Sequence, residues 1–208
     1  MRFAPRWAIP LAVVAALPAG AAGAADRCGN TDLSALTSRI YVSPAGTDSD
    51  TCGTSSSTAC QSIQRGIDRC GGAGCGVLVR YGLYTLTDSI RLKDAVNVYG
   101  RCVFGNGPDH KYRSVIEAPP DGKPAITAAG INAPTLLDGV FVKGSDATSP
   151  GGASIAMTVS DSTALTITNS TLSSGKGANG APGQTFSGNS GGGGQQGGSG
   201  GRACPSSS

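Results

Sequence analysis

Residues 134–144 of this chain read PTLLDGVFVKG, two short apolar runs separated by an Asp-Gly pair. The same pattern recurs in residues 96–100 (VNVYG) and 165–175 (LTITNSTLSSG), and the three segments align with Gly100, Asp138 and Asn169 at one position. Gly, Asp and Asn tolerate the left-handed backbone that a sharp corner between two strands requires. The segments therefore predict a repeated unit of strand, corner and strand, which is typical of a solenoid.

Short β-branched runs fill most of the chain between Val77 and Leu172, and each is closed by Gly, Asp, Asn or Pro. Runs of this length and composition predict strands. The repeated corner favours an all-β fold, a parallel β-helix over residues 40–174. A β-sandwich remains the alternative, although it would more naturally show longer alternating strands joined by hairpin dipeptides.

A single helix is expected in the chain. Ile63 and Ile67 lie four residues apart among polar neighbours, between Cys60 and Cys70. This spacing predicts a short amphipathic helix of about three turns at residues 60–70.

The order of four motifs is informative about the family. Residues 41–48 (YVSPAGTD) are followed by 62–68 (SIQRGID), 77–84 (VLVRYGLY) and 96–100 (VNVYG). This order resembles the N-terminal part of secreted right-handed parallel β-helix proteins of the pectate-lyase-like superfamily, and the resemblance covers residues 40–175. It implies that the helix caps the N-terminal end of the solenoid through Ile63 and Ile67, and that residues 77–84 begin the first full coil. It implies no one activity, because the superfamily includes lyases, hydrolases, adhesins and proteins without known activity.

The first 24 residues have the pattern of a signal peptide. Arg2 and Arg6 precede an apolar, Ala-rich run that ends in the small-x-small sequence of residues 22–24. An uncleaved membrane anchor is the alternative, but the run contains two prolines and is shorter than the ~20 residues of a membrane span. We therefore expect cleavage, a lead segment at residues 25–39, and a protein in the periplasm, on the cell surface or in the medium, with no membrane insertion after cleavage.

All seven cysteines follow the signal peptide, so they would meet an oxidising compartment. Six are disulfide candidates: Cys28, Cys52, Cys60, Cys70, Cys75 and Cys102. The short separations make Cys52 with Cys60 and Cys70 with Cys75 the simplest pairs, although spacing leaves the connectivity open. Cys204 is expected to be unpaired within the chain. Zinc is the alternative, but the spacings lack the tight pairs of zinc knuckles.

Composition excludes several classes of protein. Only 14% of residues are charged, and the net charge of +3 falls to about +1 when the signal peptide leaves with Arg2 and Arg6. This argues against nucleic-acid binding and against a polybasic membrane surface. Thirteen of the 33 Gly residues lie in residues 175–201, and we expect residues 175–208 to be a disordered tail. The unpaired Cys204 and the lack of a C-terminal cap suggest a truncated chain, or a partner that supplies further coils.

The acidic residues do not form a recognisable catalytic cluster. A polysaccharide lyase needs Ca²⁺ on clustered carboxylates and an Arg or Lys base, and a glycoside hydrolase needs two or three close carboxylates. Here Asp138, Asp146 and Asp161 are scattered, and Glu117 is the single Glu. We therefore predict no catalytic residue, no cofactor and no metal, with Ca²⁺ expected only if the protein is a lyase.

Other polar residues have a functional and a structural interpretation, and in each case the structural one is favoured. Three arginines could line one face, or simply be solvated: Arg80, Arg91 and Arg113. Asp48 and Asp50 could bind a cation, or form an Asx turn. His110 could belong to a Ser/His/Asp triad, but no G-x-S-x-G motif accompanies it. Asn169 is formally a glycosylation acceptor, or a corner residue.

Two functions are compatible with these observations. The first is a secreted, non-enzymatic β-solenoid that serves as a surface-structural module or binds an extracellular polysaccharide or a surface partner. The alternative is the N-terminal portion of a polysaccharide lyase or glycoside hydrolase.

Overall fold

The computed structural model describes residues 26–105 and 113–183. Within these residues the chain forms one α-helix, α1 (Ile63–Arg69), a 3-10 helix (Ser56–Thr58) and thirteen strands. The strands are β1 (Arg27–Cys28), β2 (Ser38–Val42), β3 (Cys75–Arg80), β4 (Gly82–Thr85), β5 (Ile90–Arg91), β6 (Asn97–Val103), β7 (Ser114–Glu117), β8 (Ile126–Ala129), β9 (Thr135–Asp138), β10 (Val140–Lys143), β11 (Met157–Ser160), β12 (Leu165–Thr168) and β13 (Thr171–Ser173).

The strands form three parallel sheets. The first sheet has the order β12-β9-β6-β3-β2, the second β13-β10-β7-β4, and the third β11-β8-β5. The chain visits the first, second and third sheets in turn and then returns to the first, so that each set of three strands makes one layer. This order begins at β3: β2 is also in the first sheet and is joined to β3 through α1, and β1 pairs antiparallel with the end of β6. The predicted all-β class and the parallel pairing are confirmed.

The core consists of apolar side chains stacked in register from layer to layer. In the first sheet the register places Ile40 beside Val77, Val77 beside Val98, Val98 beside Leu137, and Leu137 beside Ile167. The first four of these five residues are buried. Since each β-branched or Leu side chain stacks on its counterpart one strand away, the same interior column is filled in every layer.

The register corrects the predicted alignment of the corners. Asp138 lies beside Tyr99 in β6 and beside Thr168 in β12. The corner position is therefore shared by Gly100, Gly139 and Asn169, and the expected placement of Asp138 there was wrong by one residue. Asp and Gly are both residue types that tolerate the backbone conformation of a corner, so residue type does not decide between positions 138 and 139. The choice is made by packing, because only this register keeps Leu137 in the buried column.

Helix α1 has two turns, which is shorter than predicted, and packs against β2, β3 and β5. The side chain of Ser62 accepts a hydrogen bond from the backbone N–H of Arg65, which caps the N-terminus of the helix. Ile63 and Ile67 are each 1% exposed and face the core, as expected. A Cβ on Gly66 would lie 2.5 Å from Cγ2 of Val42, so glycine permits the close contact between α1 and the first sheet.

The lead segment packs on the outer face of the first sheet. Leu33 joins Leu78 and Tyr99 in a second apolar cluster that also contains the disulfide-bonded Cys28 and Cys102. Residues 38 and 39, which were assigned to the lead, belong to β2. The segment therefore acts as a cover for one sheet.

Three disulfides are formed: Cys28–Cys102, Cys52–Cys60 and Cys70–Cys75. Two of them are the short-range pairs that the spacing favoured. Because these sulfurs are oxidised, they do not act as zinc thiolates. Cys204, the signal peptide and residues 184–208 of the tail lie outside the described residues.

The described part of the Gly-rich segment is hydrogen-bonded at its start. The carbonyl of Lys176 accepts from the N–H of Ala147 at 2.8 Å, and the N–H of Ala178 donates to the carbonyl of Gly152 at 2.9 Å. The expected disorder from residue 175 onward is therefore wrong for these first residues, because the backbone groups of a neighbouring loop are there to pair with. Within the described residues, no helix is long and apolar enough to cross a membrane.

Candidate functional site

Two arginines are brought together where the chain passes from the first sheet to the second. In the later layers this passage takes one or two residues, whereas β6 ends at Val103 and β7 begins at Ser114, so ten residues separate these two strands. The N–H of Arg101 donates to the hydroxyl of Ser114 at 2.8 Å, and this fully buried hydroxyl lies 3.0 Å from the carbonyl of Val79. Arg101 and Arg113 therefore stand at the base of one loop. We call Arg101, Arg113, Phe141 and Asn169 the arginine corner.

Arg113 is positioned by an aromatic ring. Its guanidinium carbon lies 5.2 Å from the centre of the Phe141 ring, within the range of a cation–π contact. Such stacking engages the flat face of the guanidinium and leaves its N–H edges suited to a bidentate contact with an anion.

Arg101 is held in an unusual conformation. Its backbone φ is 54°, in the left-handed region that favours glycine. Its Nε is buried and, within the described residues, has no hydrogen-bond partner. A Cβ on Gly139 would lie 3.0 Å from this Nε, so glycine leaves room for the side chain. A buried donor without a partner is costly, and local strain of this kind is frequent at binding sites.

Asp138 is a structural anchor beside the arginine corner. Its carboxylate, in a residue only 1% exposed, accepts hydrogen bonds from the Thr31 hydroxyl at 2.6 Å, the Thr168 hydroxyl at 2.8 Å and the Asn169 amide at 2.6 Å. These donors occupy both carboxylate oxygens. Asp138 therefore fixes the side chain of Asn169, and it is poorly placed to act as a base or a metal ligand.

Two clefts meet at this position. A small cleft of about 120 Å³ is lined by all four residues of the arginine corner. A larger one of about 400 Å³ is lined by Arg101 and Asn169 together with Asn30, Thr31, Leu136, Asp138 and Thr168. Arg101 and Asn169 are common to both, so a ligand with an anionic group and several hydroxyls could contact cations, amides and hydroxyls at once.

The other acidic residues that the sequence singled out are dispersed. Glu117 pairs with Lys143 at 3.1 Å on the second sheet. Asp146 accepts from the N–H of Lys176 at 2.7 Å, and Asp161 occupies another corner with φ of 46°. Among the described residues, none of these three carboxyl groups belongs to a cluster of three possible metal ligands.

The residues considered for cation binding have other partners. Among the described residues, Asp48 lies near the sulfurs of Cys52 and Cys60, but these sulfurs form a disulfide. Asp48 Oδ1 accepts from the N–H groups of Gln61 and Ser62 at 2.7 and 3.0 Å. Asp50 pairs with Arg65 at 2.5 Å. These carboxylates brace the entry to α1, and the structural interpretation is the better one.

The three arginines considered for one shared face, which the sequence favoured as solvated side chains, have different surroundings. The guanidinium of Arg80 lies over the Tyr81 ring at 5.3 Å, and Arg91 lies on β5, whereas Arg113 alone of the three belongs to the arginine corner. His110 lies outside the described residues.

A second groove runs between α1 and β4. It has a volume of about 320 Å³ and is lined by Pro44, Gln61, Ser62, Ile63, Leu83, Tyr84, Thr85 and Leu86. The Tyr84 hydroxyl donates to the carbonyl of Arg80 at 2.9 Å, and burial raises the pKa of Tyr84 far above its usual value. Tyr84 therefore stays protonated at neutral pH, and the groove lacks the cationic character of the arginine corner.

Sequence reasoning missed Arg101 and Phe141. The sequence did contain one indication of this site. Arg101 directly follows the corner residue Gly100, and Arg113 lies at the other end of the polar stretch that follows. A scan against protein-family models finds no match to the chain, and searches of curated proteins and of solved structures find no similar protein either. The parallel sheets are compatible with a β-helix, and no family model or relative supports membership of the pectate-lyase-like superfamily.

Proposed function

We propose that this protein is a secreted, non-enzymatic right-handed parallel β-helix of the pectate-lyase-like type, and that it binds an acidic carbohydrate at the arginine corner. The observation that carries the proposal is that Arg101, Asn169 and Arg113, whose guanidinium is stacked on Phe141, line one cleft.

The fold part of the proposal is supported by the order in which the chain visits the three parallel sheets. The stacked interior column and a helix that lies beyond the first complete layer are the features that a β-helix requires. Three disulfides are consistent with export to an oxidising compartment.

An acidic sugar fits the chemistry of the arginine corner. A carboxylate can accept two parallel hydrogen bonds from a guanidinium. Sugar hydroxyls both donate and accept, so they match the amide of Asn169 and the hydroxyls of Thr171 and Thr168 that line the two clefts. Both clefts are small, which suits one or two sugar units better than a deeply enclosed substrate.

A binding role is favoured over catalysis because the nearest carboxylate, that of Asp138, is saturated with donors. The alternative, a lyase or hydrolase portion, requires clustered carboxylates, whereas the one group of three possible metal ligands among the described residues is Asp48 with the disulfide-bonded Cys52 and Cys60. An assay for unsaturated uronide release, with and without Ca²⁺, separates the two. Turnover above the buffer control would favour the enzyme.

The binding test uses two ligands that differ in the charge of their carboxyl groups, which is removed by methyl esterification. Isothermal titration calorimetry would compare short oligogalacturonides with the same oligomers fully methyl-esterified. We expect binding of the acidic form that weakens with added salt, and at least tenfold weaker binding of the neutral ester. Arg101→Gln and Arg113→Gln should each reduce affinity about tenfold, as expected for the loss of one charge-assisted contact.

Arg91→Gln is the matched control, because Arg91 is also exposed and lies on β5, away from the arginine corner. Its affinity should equal that of the wild type. Equal binding of the acidic and esterified oligomers, or equal losses in all three variants, would contradict the proposal.

A further inference from the structure

The last strands of the three sheets leave core positions uncovered. Val159, Ile167 and Leu172 lie in register with Ala128, Leu137 and Val142, which are each 2% exposed or less. Yet Val159 is 50% exposed, Ile167 40% and Leu172 39%. They are therefore interior side chains without a following layer, and we call β11, β12 and β13 the open face.

The backbone of the open face is also available for pairing. Each of its strands is the last in its sheet among the described residues, and in a parallel sheet such a strand presents N–H and C=O groups along its outer edge. Apolar side chains and strand edges on one face together form a surface that another strand layer can cover.

Residues 184–208 are poorly suited by composition to cover this face. Residues 184–208 consist mainly of Gly, Ser and Gln, and Phe186 is their one large apolar residue. A layer that continues three interior columns needs an apolar side chain for each column. We infer that the open face docks against the same face of a second copy of this chain, in a twofold-symmetric dimer.

The uncharged strands of the open face and the geometry of a twofold axis both support a second copy of the chain as the partner. The three strands contain no charged residue: their sequences are MTVS, LTIT and TLS. Two identical faces can therefore meet without repulsion between like charges. A twofold axis makes the two outer layers antiparallel, which is a favourable strand pairing.

The opposite end of the molecule explains why the assembly would stop at two copies. Helix α1 lies at that end, with Ile63 and Ile67 turned into the core. A head-to-tail contact would bring an open face against this helix, and only such contacts generate filaments. In a face-to-face dimer both open faces are buried, so neither is left to bind a third copy.

Sedimentation velocity over a range of concentrations tests the inference, with the secreted chain carrying Cys204→Ser in every arm so that no intermolecular disulfide contributes. We expect a reversible dimer. Ile167→Lys and Val159→Lys should shift the protein to a monomer, each raising the dissociation constant at least a hundredfold. Because both side chains are already partly exposed, the circular dichroism spectrum should be unchanged.

Leu83→Lys is the matched control, because Leu83 is a comparably exposed apolar residue (53%) on β4, near α1. It should remain a dimer. A wild-type monomer at about 100 μM, ordinarily enough to populate a weak dimer, would overturn the inference. A filament, or dissociation by Leu83→Lys but not by Ile167→Lys, would overturn it as well.

Discussion

The hydroxyl of Thr31 donates a 2.6 Å hydrogen bond to Oδ2 of Asp138, 107 positions later in the chain. This contact fastens the lead segment to the end of β9, while the other oxygen of the same carboxylate accepts from Thr168 and Asn169. One buried side chain thus connects the lead segment with two successive layers next to the arginine corner.

Asp138→Asn should lower the free energy of unfolding by about 1–3 kcal/mol, because an amide nitrogen cannot accept a hydrogen bond and a buried donor is left unpaired. Urea unfolding followed by circular dichroism measures the change. Asp161→Asn is the control, since this exposed residue occupies a corner that Asn tolerates, and its effect should stay within about 0.5 kcal/mol. Equal effects of the two changes would show that the contacts of Asp138 contribute nothing.

The Cys28–Cys102 disulfide should contribute more to stability than Cys70–Cys75. The paired cysteines are 74 residues apart in the first case and 5 in the second. Chain entropy then predicts a loss of about 4.5 kcal/mol for the double serine variant of the long pair and about 2 kcal/mol for that of the short pair. Guanidinium unfolding of both variants tests the order, and the reverse order would contradict this account.

Gly139→Ala should be more harmful than Gly130→Ala, although both glycines have nearly the same φ, 71° and 68°. Each substitution costs about 1–2 kcal/mol of backbone strain. A Cβ at residue 130 would meet nothing within 4 Å, whereas at residue 139 it would lie 3.0 Å from Nε of Arg101. We therefore expect Gly139→Ala to lower the free energy of unfolding by about 1 kcal/mol more than Gly130→Ala does. Thermal unfolding of both variants measures the difference. The Gly139 variant alone should also weaken binding of the acidic oligomer.

The stability contributed by Asp121 should depend on pH. Hydrogen bonds from the hydroxyl and N–H groups of Thr148 and Ser149 lower the pKa of this carboxyl below its usual 3.8. Because the pKa is lower in the folded state, the stabilisation is fully present above 3.8 and is lost as the pH falls toward the folded-state value.

Asp121→Asn should therefore melt a few degrees below the wild type at neutral pH, with a difference that narrows below the usual Asp pKa. Asn also tolerates the positive φ at this position, 66°, so backbone strain is unchanged. Differential scanning calorimetry from about pH 7 to about pH 3 follows the effect. A difference that stays constant over this range would exclude the carboxylate as its source.

Local patterns in the sequence determined the strands, the position of α1 and the small residues at the corners, and they favoured the two short-range disulfide pairs. These features depend on neighbouring residues: apolar runs closed by turn formers, two isoleucines four positions apart, and cysteines a few residues from each other. Their physical causes act within one element or one turn, so they can be predicted from the chain alone.

Only the tertiary structure decided the register of the layers and the composition of the arginine corner. The Asp-Gly pair at residues 138–139 offered two acceptable corner residues, and packing of Leu137 in the buried column chose between them. That choice of one residue places Asp138 on the outer face of β9, where it anchors the lead segment through Thr31. Arg101, Phe141 and Asn169 then met because stacked layers bring together residues from distant parts of the chain, a relationship that no local pattern encodes.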